Sequence, residues 1–206
     1  RSLALGIERG DGPEARELAV RVMRALKRRA TWSEDGKVCW FASGMGPMRE
    51  DGTPVPNGWN HVPAPVVISL VELWKATGEG EALDFAKAYA DGILAGGQPG
   101  GVRFGADGSF PTHSHATMHA LWGVAELGLA IGDPRYVDFV GRAWEWMLSR
   151  GTGTGWFPAL PDNCNETCCL SDMMSVAAVL ARAGRPERWD CVERLFRDYV
   201  ATLQFF

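Results

Sequence analysis

Residues 71–94, VELWKATGEGEALDFAKAYADGIL, align without a gap onto residues 125–148, AELGLAIGDPRYVDFVGRAWEWML. Glu72/Glu126, Leu73/Leu127, Gly78/Gly132, Asp84/Asp138, Phe85/Phe139 and Leu94/Leu148 match, all at an offset of 54. A less regular third copy runs through VAAVLARAGRPERWDCVERLFRDYV at 176–200, where Gly184 answers Gly132 at an offset of 52. Self-similarity at a fixed period marks an array of supersecondary units that bury their apolar faces against one another.

Each copy reads as an αα-hairpin. A largely apolar first helix spans 61–77, 115–131 or 167–183, and a tight turn follows (TGEGE, IGDPR, AGRPER). Gly at the helix end and Pro at the next helix start are the ordinary punctuation of such a turn. The second helix is one-sided, as in Tyr136, Phe139, Val140, Trp144 and Met147, which share one face at helical spacing. A helix over 13–30, with Arg16, Arg21, Arg24, Lys27 and Arg28 on its wet side, reads as the outer half of a preceding unit. Helices that alternate between apolar all round and one-sided build an inner and an outer layer, the arrangement of an (α/α) toroid. Six hairpins of this length would need about 300 residues or more. The chain therefore reads as all-α, one domain over 1–206, forming an arc of an (α/α)6-type toroid. The missing units come from the rest of its own domain or from a second copy.

Composition narrows the function. With 46% hydrophobic and 22% charged residues the 206-residue chain is an ordinary globular one, and its net charge of −4 argues against nucleic acid. No apolar run reaches the roughly 18 residues that span a bilayer, and no leader pattern opens the sequence, so a cytoplasmic setting is expected. Nine tryptophans fall mostly in or beside loops, where flat apolar rings can stack on sugars. Five cysteines are an odd number for a disulfide scaffold and fit reduced thiols or a metal site. Cys39 and Cys191 read as ordinary buried thiols.

Long loops rich in Gly and aromatics lie on one side of the repeat, at 31–60, 95–114 and 150–165, with short β-hairpins expected in the first two. Function concentrates on such loops when a rigid scaffold presents them. The register then places His61, His115 and Cys168 in the same slot, at the start of successive first helices. Around them stand HSHATMH (His113, His115, His119) and ETCC (Glu166, Cys168, Cys169). A helix N-terminus favours anions and lowers thiol pKa values, so reactive or metal-binding thiolates are expected here. Glu166 and Cys168 at i, i+2 can hold one zinc ion, although zinc wants four ligands. His61, His115 and His119 are candidates to hydrogen-bond sugar hydroxyls, with Trp59, Phe110 and Trp156 lining the sugar.

At CNETCC the sequence resembles the cysteine-nucleophile β-L-arabinofuranosidase family of glycoside hydrolases, as does SHATMHALWGVAELGLAIGD with its opening histidine. The resemblance covers roughly residues 110–206. It implies an (α/α)6 toroid and a zinc held by Glu166 and Cys168; Cys169 departs from the family, standing where a small residue is usual, and is a candidate extra ligand. His115 would be the substrate-binding histidine, and a later cysteine pair would lie beyond Phe206. The family's acid/base carboxyl sits in the loop before the motif, where this chain offers only Asp162. Two other readings stand beside it: a metal-free sugar epimerase or polysaccharide lyase on a similar toroid, and a non-catalytic α-solenoid interaction module.

Overall fold

The structure, a computed structural model, describes residues 2–8, 10, 12–41, 66–95, 104–111, 113–152, 156–159 and 166–202. Its helices are α1 (Ser2–Glu8), α2 (Pro13–Arg29), α3 (Val66–Thr77), α4 (Gly80–Leu94), α5 (Ser114–Ile131), α6 (Pro134–Arg150), α7 (Thr167–Arg182) and α8 (Arg188–Leu195), which runs on into a π-helical turn, Phe196–Val200. Where described, the predicted helices match to within a residue or two at each end.

The two layers follow from burial. Helix α5 buries residues on every side (Met118, Leu121, Val124, Ala125 and Leu127 among them), because it is packed by α3 on one flank, α7 on the other and α6 behind. Helix α6 buries one stripe, Tyr136, Val137, Phe139, Val140, Gly141, Ala143, Trp144 and Met147, and leaves its other face to solvent. Thus α3, α5 and α7 form the inner layer and α4, α6 and α8 the outer one. Helix α1, which the repeat did not reveal, packs on both α2 and α3 and so is the inner partner of α2. Four hairpins are present among the described residues.

The turn glycines explain why the repeat preserves them. Gly78, Gly132 and Gly184 have φ of 71°, 71° and 99°, the left-handed conformation that stops a helix and strains any residue with a Cβ. After Gly132 the Asp133 carboxylate accepts the Arg135 backbone N–H at 3.0 Å, and Pro134 opens α6. At this short-turn end one carboxylate ties three inner helices. Glu126 of α5, 9% exposed, pairs with Arg182 of α7 at 2.7 Å and Lys75 of α3 at 3.5 Å.

Between the layers lies Trp144, fully buried. Its indole N–H donates to the Met173 carbonyl of α7 at 3.0 Å, and the Arg188 guanidinium of α8 covers its ring. Of the expected β-hairpins, the first is a minimal antiparallel pair, β1 (Thr31–Trp32) with β2 (Cys39–Trp40). Among the described residues of 95–114 there is a hydrogen-bonded turn at Gly105–Ser109 and no strand. No helix among the described residues is long and apolar enough to cross a membrane.

Candidate functional site

Because each inner helix ends at a short turn, its N-terminus lies at the opposite, long-loop end. The starts of α5 and α7 therefore sit side by side. Ser114 anchors the start of α5: its backbone N–H donates to the Ala159 carbonyl at 2.8 Å and its hydroxyl to the Pro158 carbonyl at 2.6 Å. The loop before α7 is thereby stitched to α5.

Two polar clusters bridge these helices. In the first, Glu166 precedes α7 without capping it. Its Oε2 lies 2.8 Å from His113 Nε2 and accepts the Cys168 thiol at 3.3 Å. In the second, Asp172, 4% exposed, takes one imidazole on each oxygen. His115 Nδ1 lies 2.5 Å from Oδ2 and His119 Nδ1 lies 3.0 Å from Oδ1. Spacing of i, i+4 brings both histidines to one face of α5 and places Asp172 on the same face of α7 as Cys168. With Nδ1 on the carboxylate, each ring directs Nε2 away from Asp172. The Trp122 ring stands edge-on to His119 at 5.4 Å.

Electrostatics revises the expected thiolate. Burial pushes the Cys168 thiol above its ordinary value, and the hydrogen bond to the Glu166 carboxylate and that group's charge push it further. These outweigh the helix N-terminus, so the thiol is the favoured form. For Glu166 burial acts upward, but the Cys168 and His113 hydrogen bonds and the histidine charges hold the carboxyl below its ordinary 4.5.

The other expected site residues fare differently. Cys169 follows Cys168 by one helical step of about 100°. It is fully buried in the core, where desolvation raises its thiol strongly. Phe110 is likewise inside, packed on Trp146 at 4.7 Å and Phe104 at 5.8 Å, rather than on a sugar-facing wall. Trp156 is half-buried in the loop anchored by Ser114. Trp59, His61 and Asp162 lie outside the described residues.

For zinc, the fit is partial. Glu166 Oε2 and Cys168 Sγ do converge; His113 Nε2 meets the same carboxylate oxygen, but the three donors do not all come within 4.8 Å of one another. Asp172 was missed altogether, although a signal existed. It follows His119 by 53 residues, the register that carries His115 onto Cys168, and it is an acid in the midst of an apolar helix.

The fold class is an all-α toroid. No protein-family model matches the chain, and no curated protein matches it. Two solved structures share its fold. One is the unsaturated glucuronyl hydrolase responsible for degradation of glycosaminoglycan from Bacillus sp. GL1, with a TM-score of 0.63 and 15% identity. The other is a variant of UGL with dGlcA-Glc-Rha-Glc, with a TM-score of 0.61 and 17% identity. Each alignment covers 94% of this chain and 58% of the other, so the chain spans less than two thirds of the structures it resembles.

Proposed function

We propose that this chain is part of a glycoside-hydrolase-like toroid protein that acts on a carbohydrate. The observation that carries the reading is Asp172, a buried carboxylate that orients the imidazoles of His115 and His119 at the long-loop end of the inner layer. A carboxylate on Nδ1 fixes each ring and leaves Nε2 for a ligand. Adjacent hydroxyls of a sugar suit two such nitrogens, and Trp122 offers apolar ring surface beside His119. The structural neighbours, a glucuronyl hydrolase and a variant with dGlcA-Glc-Rha-Glc, add support for saccharide chemistry.

Within this reading His61 and Trp59 join the sugar site, and Asp162 protonates the leaving oxygen. Glu166 and Cys168 would hold zinc. When bound there, zinc would favour the thiolate form of Cys168. The finer arabinofuranosidase-like reading rests on that thiol pair. A second reading draws on the same geometry: an imidazole backed by a carboxylate is the arrangement of a general base, which suits a metal-free epimerase or lyase.

The test is incubation with a saccharide panel that includes unsaturated glucuronides and β-L-arabinofuranosides, with binding and products measured for the parent, His115→Ala and Cys168→Ser. Binding or turnover lost in both variants is the expected result. Loss only in His115→Ala selects a site that works through the histidine cluster without zinc on Glu166 and Cys168. No binding and no product across the panel overturns the carbohydrate assignment and leaves an interaction solenoid.

A further inference from the structure

The second cluster has the composition of a metal centre. His115 Nδ1, His119 Nδ1 and one oxygen of Asp172 belong to three residues whose donor atoms all lie within 4.8 Å of one another. Two further features distinguish this set from a chance meeting of polar side chains. The first is the burial of Asp172. A carboxylate at 4% exposure needs compensating charge or donors, yet among the described residues neither lysine nor arginine pairs with it, and its two partners are the imidazoles. The second is the geometry of the scaffold. Two histidines one helical turn apart on α5 and a carboxylate on the neighbouring α7 converge from rigid elements. The side chains of His115 and His119 are 35% and 25% exposed, so the donor set is reachable from outside.

We propose that His115, His119 and Asp172 form a seat for a divalent transition-metal ion, with three protein donors and a further position open to solvent or substrate. Two imidazoles and one carboxylate with an open position suit zinc or divalent iron, cobalt or manganese, whereas magnesium and calcium prefer all-oxygen shells. The dimensions agree. Zinc bonds of roughly 2.0–2.2 Å in a tetrahedron set donors about 3.3 Å apart. His115 Nδ1 meets Asp172 Oδ2 at 2.5 Å and His119 Nδ1 meets Oδ1 at 3.0 Å, and one donor atom from each residue lies within 4.8 Å of the others, so a small side-chain rotation brings the three onto one ion. The seat is separate from the Glu166–Cys168 pair: its donors are nitrogen and oxygen alone. It uses the residues that carry the carbohydrate reading, but its test asks only that the ion bind.

The experiment is titration of the chelator-stripped chain with cobalt(II), followed by visible and near-ultraviolet absorption. The parent should develop weak d–d bands. Cys168→Ser should keep those bands at unchanged affinity, and they should lack a thiolate-to-cobalt charge-transfer band in that variant. Asp172→Asn, nearly isosteric, and His119→Gln should weaken cobalt binding more than tenfold, with circular dichroism confirming that each remains helical. Parent protein without cobalt bands overturns the seat. So does cobalt binding that survives Asp172→Asn but disappears in Cys168→Ser, since the ion would then sit on the thiol pair. If both sets fill, two ions bind per chain and each is lost with its own variant, which upholds the seat. Saccharide binding, read separately, decides the carbohydrate proposal whatever cobalt does.

Discussion

Gly123→Ala in the middle of α5 tests how closely the inner helices approach. In an isolated helix the change would help by about 1 kcal/mol, because alanine gives up less backbone freedom than glycine. Here a Cβ would stand 2.5 Å from the Ile68 backbone nitrogen of α3, 3.0 Å from Val67 Cβ and 3.2 Å from Ile68 Cα. The first of these is about 1 Å inside ordinary contact. The obstacle is backbone, so no rotamer change relieves it and α3 must draw away from α5. That displacement loosens contacts among Val67, Ile68, Val71, Leu121 and Val124, all buried. Overpacking of this kind costs about 1–3 kcal/mol, which meets or exceeds the propensity gain. For a displacement of whole helices the upper part of that range applies, leaving a net loss of about 1–2 kcal/mol. With a urea dependence of about 2 kcal/mol/M, the unfolding midpoint should fall by about 0.5–1 M. Gly80→Ala, at the first residue of α4, is the control: a Cβ there meets nothing within 4 Å. Its midpoint should hold or rise slightly. A Gly123→Ala midpoint equal to or above the parent's would refute the close approach of α3 and α5.

Three further outcomes follow from the same coordinates. Trp144→Phe removes the indole donor to the Met173 carbonyl and should destabilise by about 1–3 kcal/mol, and Trp144→Ala by about 3–5 kcal/mol, read by denaturant melts; tolerance of the alanine would deny its place between the layers. Glu81 of α4 is held below its ordinary 4.5 by hydrogen bonds from Arg24 and Lys27 of α2, at 2.9 and 3.1 Å, so the stability it adds is present above that value and is lost as pH falls through the lowered one. Glu81→Gln should therefore be weaker than the parent at neutral pH and converge with it in strong acid; a gap that persists unchanged into acid contradicts the pairing. Thiol labelling with peptide mapping should find the metal-free Cys168 slow at neutral pH and faster in alkali. Cys39, pushed up to about 12 by burial, and Cys169 should be silent until the protein unfolds. Rapid neutral labelling of Cys168 would show that the helix N-terminus, not Glu166 and burial, governs it.

The hairpins and their two layers were legible in the residues alone. Those features are local: a glycine that must adopt positive φ, a proline that opens a helix, and the period of apolar residues along one helix. They are written into residues a few positions apart, so Gly78, Gly132 and Gly184 betray the repeat without any knowledge of tertiary contacts. What the tertiary structure decided is which side chains meet across helices, because that depends on the rotation and stagger of one helix against another. It placed Asp172 between His115 and His119, and His113 against Glu166. It turned Cys169 into the core one step from the half-exposed Cys168, and packed Phe110 on Trp146 instead of a sugar-facing wall. It also disclosed α1 as the inner partner of α2. A seven-residue helix carries too few periodic positions to announce itself, and its packing on α3 defines its role.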